Sequence, residues 1–319
     1  MDREGLNVTT KRDHGGGLDA AIRQYGGQRA DWIDLSTGIN PVAYPVPALS
    51  EEAWTALPDT GLTDRLHAAA RAFWNIPQGA DFIAAPGASA LIAQIPRLKS
   101  AASVHIPHPT YNEHAASFSN CDWQIQRDGE AQARVLVHPN NPNGRLWTAS
   151  DVTSPFSIID ESFCDVTPEN SLVRLAEEPG TIVLKSFGKF WGLAGLRLGF
   201  AIGDPALIGQ LREMLGPWPV SGVALEVGAR ALSDTAWADN TRQRLTKDSD
   251  RLDALICNQG ATLLGGTTLF RLYHVEDAAR WQERLARHHI WTRIFPYADN
   301  WIRFGLPAPD AWDQLEAAF

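Results

Sequence analysis

Short apolar runs separated by turn residues recur through the middle of the chain. Runs of strand type begin at Phe82, Val104, Ala133 and Phe156, and segments able to form loops or helices lie between them. This alternation, from about residue 80 to 205, is typical of a three-layer α/β domain with a mostly parallel sheet. Such a domain binds its ligands at the carboxyl ends of the strands.

The pattern changes after Asp204. Long helical patterns cover 221–258, an amphipathic helix is predicted at 277–288, and strand-like runs occupy 261–264, 268–273, 291–295 and 301–304. These elements predict a smaller α+β domain, which the alternating strand at 32–41 joins. We therefore divide the chain into an N-terminal arm with part of the small domain (1–50), a large domain (51–212) and a small C-terminal domain (213–319).

Charge and composition narrow the class of partner. The net charge is −9 and no run of lysines or arginines occurs, so nucleic acid is not an expected partner. Anionic substrates must then be bound by individually placed arginines. The polar segment 1–7 lacks the apolar core of a signal peptide, and no apolar run reaches the length of about 18 residues that spans a membrane. We expect a cytoplasmic protein without membrane insertion.

Neither the cysteines nor the histidines predict a metal site. The three cysteines are widely separated: Cys121, Cys164 and Cys257. This spacing argues against a disulfide framework or a zinc site, and we interpret all three as small buried apolar residues. His105, His108 and His114 are close in sequence, but their spacing matches none of the common metal-binding patterns.

The most informative stretch is the segment 182–200. Within it, Lys189 is followed by Phe190 and Trp191, and burial among apolar groups disfavours the ammonium form and leaves an amine that attacks carbonyls. Ser186 and Arg197 are suited to bind a phosphate. One segment can thus hold both the aldehyde and the phosphate of pyridoxal 5'-phosphate. The structural alternative is an ordinary surface lysine after a glycine-rich turn.

Two other strand ends carry groups that suit the same cofactor. The strand beginning at Phe82 turns through Gly87 into a helix, and its first residues, Ala88 and Ser89, leave N–H groups for a phosphate. Tyr111 follows the next strand and offers an aromatic face for a flat ring. A plain strand–turn–helix connection is the alternative for the glycine turn.

Polar residues end the following two strands. Asn141 lies in the loop 138–144, which is so rich in turn formers that an asparagine there is most often only a turn residue. Asp160 ends the next strand, where a carboxylate can keep a ring nitrogen protonated; its alternative role is to cap the following element.

Anion-binding groups are also expected at the two ends of the chain. His14 and Gly15 open a glycine-rich stretch before a helix, which can bind an anion or be only a flexible arm. Asn40 lies at the end of the predicted strand 32–41, where side chains often face a ligand. Arg293 and Arg303 lie in aromatic-flanked strands, and a buried arginine needs an anion, either a ligand or an internal salt-bridge partner.

The order of these motifs along most of the chain resembles the fold-type I pyridoxal-phosphate enzymes of the aminotransferase family. That resemblance implies a large and a small domain, and a homodimer with its sites at the interface. It also implies roles in cofactor binding for Gly87, Ala88, Ser89, Tyr111, Asn141, Asp160, Ser186, Lys189 and Arg197. Among these, Lys189 binds the aldehyde, Asn141 the ring oxygen and Asp160 the ring nitrogen, and Arg303 is expected to receive the substrate carboxylate.

Within that family, His14-Gly-Gly and the segment 34–41 most resemble the threonine-phosphate decarboxylases of cobalamin biosynthesis, relatives of the histidinol-phosphate aminotransferases. By this resemblance His14, Gly15, Asn40 and Arg293 surround the substrate phosphate and carboxylate, and the division of the two anions between Arg293 and Arg303 stays open. The implied reaction converts L-threonine O-3-phosphate to (R)-1-amino-2-propanol O-2-phosphate, which the next enzyme of the pathway, a candidate contact partner, uses.

Two alternatives remain at this point. One is an aminotransferase of the histidinol-phosphate type, and the other is a cofactor-binding partner subunit without catalytic activity. Two departures from the family also bear on the site. Leu57 and Phe163 stand where many relatives have tyrosine, so a contact to the partner subunit's cofactor phosphate is in doubt, and Asn141 is the one side chain expected on the ring oxygen.

Overall fold

Strands and helices alternate through the middle of the chain in a computed structural model that describes residues 13–46 and 48–319. The strands are β1 Ile33–Asp34, β2 Asp81–Ala85, β3 Ser103–His105, β4 Gln124–Gln126, β5 Ala133–Val137, β6 Phe156–Asp160, β7 Thr181–Ser186, β8 Gly199–Gly203, β9 Thr262–Thr267, β10 Phe270–His274, β11 Ile290–Trp291, β12 Arg293–Phe295 and β13 Ala298–Gly305. The helices are α1 Leu18–Tyr25, α2 Glu52–Thr55, α3 Thr60–Phe73, α4 Ala88–Gln94, α5 Asn112–Ser119, α6 Pro205–Leu215, α7 Gly222–Ser233, α8 Thr235–Cys257, α9 Ala278–Arg287 and α10 Trp312–Glu316.

A seven-stranded sheet forms the centre of the larger part, in the order β2-β8-β7-β6-β5-β3-β4. Its strands are parallel except β8, which is antiparallel to both β2 and β7. Successive residues of β6, Ile158 and Ile159, enter two different apolar clusters, one on each face of the sheet. One cluster contains side chains of α3 and α7, and the other those of α4, α5 and α6. The predicted three-layer domain with a mostly parallel sheet is confirmed.

The smaller part is built on a four-stranded antiparallel sheet in the order β12-β13-β10-β9. Beside it, β1 pairs in parallel with β11, so the N-terminal segment joins the C-terminal elements, in line with the sequence pattern. One apolar cluster contains both Phe200 of the large sheet and Phe270 of the small one. The predicted domain boundaries therefore stay predictions. None of the described helices is long and apolar enough to cross a bilayer.

Two local predictions were wrong. The strand predicted at 32–41 is limited to Ile33–Asp34, because the backbone beyond it bonds to the small sheet and to the segment after β7: Gly305 N donates to Leu35 O at 2.6 Å, and Asn40 N to Lys189 O at 3.0 Å. Cys257, predicted to be buried, is exposed at the last residue of α8, while Cys164 is buried and Cys121 is partly buried.

The ends of the central strands meet at one edge of the large sheet. Ala85, Gly199 and Ser186 lie side by side in the register of β2, β8 and β7, so the ends of β2 and β7 and the start of β8 share that edge. The parallel strands β3, β5 and β6 end there too. The chain leaves this edge into segments that carry the predicted cofactor residues: Gly87, Tyr111, Asn141, Lys189 and Arg197.

Candidate active site

Two adjoining cavities lie at this edge of the sheet. The sheet-edge cavity is lined by, among others, Ala88, Ser89, Tyr111, Asn141, Asp160, Ser186, Lys189 and Arg197. The arginine cavity is lined by, among others, Asp13, His14, Gly15, Thr37, Arg293, Tyr297 and Arg303. Ile39, Tyr111, Asn141 and Lys189 line both cavities. A ligand in one cavity therefore lies next to a ligand in the other, with the lysine between them.

Lys189 lies in the segment that follows β7, between the two cavities. Its Nζ donates to Thr37 O at 3.3 Å and lies 5.1 Å from the centroid of the Phe163 ring. Burial and the charge of Arg303 lower the pKa of this amine to about 8, against the opposing pull of Asp160 and a second carboxylate. A useful fraction of Lys189 is therefore neutral near neutral pH, as covalent attachment to an aldehyde requires.

Asn40 holds the lysine segment rather than lining a cavity. Its backbone N–H donates to Lys189 O at 3.0 Å, and its side-chain Nδ2 donates to Phe190 O at 2.8 Å. Its Oδ1 accepts from Arg244 Nη2 at 2.5 Å and from Val42 N at 3.1 Å. Every polar group of this buried side chain is thus in use, and the substrate contact predicted for it stays a prediction.

Asp160 is the buried last residue of β6. Its Oδ2 lies 2.8 Å from His114 Nε2, and its Oδ1 accepts from Ser162 Oγ at 2.5 Å and from Ser162 N at 3.0 Å. Burial opposes ionisation, but the hydrogen bonds outweigh it, and the pKa of Asp160 lies below its ordinary value. The carboxylate is ionised and fixed in the sheet-edge cavity, as a partner of a protonated ring nitrogen must be.

The sequence reasoning missed the residues that hold Asp160. The sequence presents His114 only as a possible metal ligand, yet its spacing from Tyr111 is a usable signal. Tyr111 is the N-cap residue of α5 and His114 lies in the first turn of that helix, so the two rings are neighbours, with centroids 6.1 Å apart. His105 bonds to Arg127 O at 2.8 Å, and the potential metal-binding group found among the described residues contains neither it nor His108 or His114.

Arg197 and Gly87 form a second part of the sheet-edge cavity. A Cβ added to Gly87, which has a φ of +83°, would lie 2.3 Å from Arg197 Nη2, so a side chain here would displace the guanidinium and strain the backbone. Arg197 Nη1 donates to Ala194 O at 3.1 Å, and no carboxylate of residues 13–46 or 48–319 pairs with it. Ser186 lies nearby, and its Oγ accepts from Gly188 N at 3.2 Å. This cluster suits a phosphate.

Arg303 is buried in the arginine cavity without a carboxylate partner among the described residues. Its Nη1 donates to Asn141 Oδ1 and its Nη2 donates to Ser36 O at 2.5 Å, while its buried Nε has no partner. Burial and the charge of Arg293 lower its pKa to about 10. An arginine kept buried without a counter-ion is expected to receive an anionic ligand, and the salt-bridge alternative does not apply to it.

Arg293 does have an internal partner, which the sequence reasoning missed. Its Nη1 and Nη2 donate to the two carboxylate oxygens of Asp13 at 2.5 and 2.6 Å, and its Nη1 also donates to His14 O at 2.6 Å. His14 Nε2 in turn lies 2.9 Å from Glu113 Oε1. Gly15 packs so closely on Ser36 that a Cβ there would lie 2.4 Å from its carbonyl oxygen. The predicted substrate residues at positions 14, 15, 293 and 303 thus share one cavity.

A cluster elsewhere in the large domain does not offer a metal site. Ligand atoms of His138, Glu161 and Cys164 lie within 4.8 Å of one another. Both ring nitrogens of His138 already bond to the backbone, at 2.8 and 3.0 Å, and Glu161 holds the buried ammonium of Lys185 at 2.5 Å. These contacts make the cluster part of the internal structure rather than a binding site.

The residues present fit pyridoxal phosphate, group for group. Arg197, with the glycine turn that admits it, suits the phosphate, and the lowered pKa of Lys189 suits the aldehyde. Asp160 suits the ring nitrogen and Asn141 Nδ2 the ring oxygen, because Asn141 Oδ1 is already bonded to an arginine. Tyr111 lines the same cavity, and its aromatic ring suits a flat cofactor ring. The position occupied by tyrosine in many relatives is the buried Phe163, and Leu57 is exposed to solvent.

Comparison with known proteins agrees with this fit. The chain is 38% identical over 325 residues to the threonine-phosphate decarboxylase of Pseudomonas aeruginosa, covering 96% of both chains. It is also 38% identical to that of a Sinorhizobium species, covering 93% of this chain and 94% of the relative. A histidinol-phosphate aminotransferase of Mesorhizobium japonicum is 26% identical, covering 93% and 89%.

A structural superposition and a family model point to the same family as these relatives. The crystal structure of histidinol-phosphate aminotransferase from Sinorhizobium meliloti in complex with pyridoxal 5'-phosphate superposes with a TM-score of 0.82 at 19% identity, covering 100% of this chain and 96% of that one. The family model for class I and II aminotransferases matches residues 126–318. This chain therefore belongs to the class I and II aminotransferase family, as an enzyme that uses pyridoxal phosphate.

Proposed function

We propose that the enzyme removes the carboxylate of L-threonine O-3-phosphate and releases carbon dioxide and (R)-1-amino-2-propanol O-2-phosphate, in the cytoplasm, for cobalamin biosynthesis. The observation that carries this proposal is the pair Arg293 and Arg303 in the cavity next to Lys189. A substrate with one carboxylate and one phosphate has an anion for each arginine. The two decarboxylase relatives support the same substrate.

The arrangement of the arginines favours one division of the two anions. Arg303 is buried, and its charge is the one that lowers the pKa of Lys189, so it lies on the side of the reacting amine. The carboxylate is attached to the reacting carbon of the substrate, so we assign it to Arg303. The phosphate lies at the far end of the substrate, so we assign it to Arg293. His14 and Gly15 line the same cavity as Arg293.

The residues of the chain support decarboxylation in distinct ways. Pyridoxal phosphate, when bound, supplies the electron sink that takes up the electron pair of the broken Cα–carboxylate bond. Asp160, ionised and held by two hydrogen-bonding residues, keeps the ring nitrogen protonated. Lys189 Nζ, with a pKa of about 8, holds a proton near neutral pH and delivers it to Cα after carbon dioxide leaves. Arg303 orients the carboxylate.

Product analysis tests this proposal against the runner-up. The histidinol-phosphate aminotransferase relative favours transamination as the second candidate. The holoenzyme is incubated with L-threonine O-3-phosphate, with and without 2-oxoglutarate. Carbon dioxide and aminopropanol phosphate formed without the keto acid are the expected result, whereas glutamate formed only with the keto acid establishes an aminotransferase. Lys189→Ala is expected to abolish turnover, and the exposed Lys247→Ala, the matched control, is expected to retain it.

The assembly we propose is a homodimer. Large apolar side chains are exposed on and beside α2, where Trp54 is 70% and Leu57 67% exposed, and at Trp218 before the adjacent α7. Burying such a patch is favourable, and the family resemblance implies a subunit contact at Leu57. We expect Leu57→Asp to shift the mass measured by light scattering toward the monomer, while Leu264→Asp, on the small sheet, leaves it unchanged. A monomeric wild-type protein contradicts the proposal.

A further inference from the structure

The side chain of Asp13 occupies the place at Arg293 that the proposed function gives to the substrate phosphate. Both carboxylate oxygens accept from the guanidinium, at 2.5 and 2.6 Å. This two-point contact is the one that arginine also makes with a phosphate. Both residues line the arginine cavity, so Asp13 and a ligand anion compete for one guanidinium.

We propose that Asp13 is an internal competitor, which holds Arg293 in its binding geometry and must leave when the side-chain anion of the substrate arrives. The exposure of the two side chains favours this exchange. The Asp13 side chain is 42% exposed and that of Arg293 is 13% exposed. The carboxylate can move into water at little cost, whereas the guanidinium stays in the cavity and needs a new anion.

The segment around Asp13 remains attached when its carboxylate moves. Asn112 Nδ2 donates to Asp13 O at 2.8 Å, Gly16 N donates to Ser36 Oγ at 2.6 Å, and Trp291 Nε1 donates to Gly16 O at 3.0 Å. None of these bonds involves the carboxylate. A rotation of the Asp13 side chain is therefore sufficient for the exchange, and His14 and Gly15 keep their places in the cavity.

The charge of Arg293 lies close to that of Arg303, which explains what the internal competitor does when no substrate is bound. The charge of Arg293 already lowers the pKa of Arg303, so the two guanidinium groups repel each other. Asp13 neutralises one of them as long as no substrate is bound. A substrate that lacks a side-chain anion does not compete with Asp13 for Arg293. Its affinity is therefore independent of this residue.

The test is a binding titration of the pyridoxal-phosphate-loaded enzyme. Stopped-flow absorbance of the bound cofactor gives the affinity for L-threonine O-3-phosphate and for L-threonine before turnover. We expect Asp13→Asn to tighten binding of the phosphorylated amino acid by roughly three- to tenfold, the range expected for a partly exposed ion pair and the loss of a like charge beside the ligand. Binding of L-threonine is expected to stay unchanged.

Two further variants make the result specific. Asp19→Asn removes an equal charge from the exposed ion pair with Arg29 and is expected to have no effect. Asp13→Glu keeps the charge and is expected to stay within about twofold of the wild type, because it preserves the ion pair with Arg293. Unchanged or weaker binding of L-threonine O-3-phosphate to Asp13→Asn overturns the inference, as does an equal gain for L-threonine.

The inference rests on the proposed function for the identity of the anion, yet the two can fail separately. If Asp13→Asn tightens binding but no carbon dioxide forms, the decarboxylase proposal fails and the competition stands. If carbon dioxide forms but binding is not tightened, the decarboxylase proposal stands and Asp13 has no competing role.

Discussion

The lowered pKa of Lys189 predicts how the cofactor-free enzyme captures pyridoxal phosphate as the pH changes. Only the neutral amine attacks the aldehyde, and a base with a depressed pKa is neutral above that pKa and protonated below it. Burial and the charge of Arg303 place the pKa of Lys189 at about 8 rather than 10.5. Capture is therefore expected to weaken as the pH falls below 8 and to level off above it.

The magnitude follows from the fraction of neutral amine. With a pKa of about 8, about one molecule in ten is neutral at pH 7, compared with roughly one in three thousand for an ordinary lysine. From pH 6 to 7 the rate should rise about ninefold, and from pH 8 to 9 only about twofold, since the titration is then nearly complete. An ordinary lysine would give about a tenfold rise at every step.

Stopped-flow absorbance of the cofactor, mixed with cofactor-free enzyme from pH 6 to 9, measures these rates. The same reaction with Nα-acetyl-lysine corrects for the ionisations of the cofactor itself. Arg303→Met removes a positive charge, so it is expected to raise the pKa of Lys189 and slow capture at pH 7. Arg212→Met, which removes a partly exposed arginine that pairs with Asp81, is the matched control. A tenfold rise at every pH step refutes the reasoning, as does an Arg303→Met variant identical to the wild type.

Three further predictions concern single contacts. Asp160→Asn is expected to retain the cofactor yet to lower the rate of product formation roughly 100- to 1,000-fold, and a near-normal rate contradicts its assigned role. Lys185→Met leaves the buried carboxylate of Glu161 unpaired and should lower the free energy of unfolding by about 3–5 kcal/mol in urea titrations, with partial recovery when Glu161→Gln is added. Gly87→Ala places a Cβ 2.3 Å from an arginine nitrogen and should weaken cofactor binding by about tenfold, whereas Gly61→Ala, where nothing lies within 4 Å, should not.

The sheet-edge cavity was predictable because one rule gathers its residues. Carboxyl ends of parallel strands meet at one edge, so Asp160 and Ser186, at the ends of adjacent strands, had to be neighbours once the strands were recognised. Arg197 joins them because β8 is antiparallel and starts at the same edge. The apolar runs of the sequence carried this information directly.

The arginine cavity was less predictable because its contacts join distant parts of the chain. Arg293 and Asp13 are 280 residues apart, and no local pattern relates them. His114 and Asp160 are 46 residues apart and meet only because α5 packs beside the sheet. Asn40 shows a different limit: its position at the end of a predicted strand suggested a ligand contact, which stays a prediction, and no sequence pattern indicated that its amide bonds to the backbone of the lysine segment.

The charge of the site also resolves an apparent conflict between the sequence and the proposed substrate. A chain with a net charge of −9 repels a phosphorylated amino acid at long range, although this repulsion is screened beyond about 8 Å at physiological salt. Inside the cavities the balance is reversed, because neither Arg303 nor Arg197 has a carboxylate partner among the described residues, and Arg303 is buried where screening is weak. Selectivity for anions therefore depends on where the arginines are placed, and Asp13, paired with Arg293 in the arginine cavity, is positioned to oppose it.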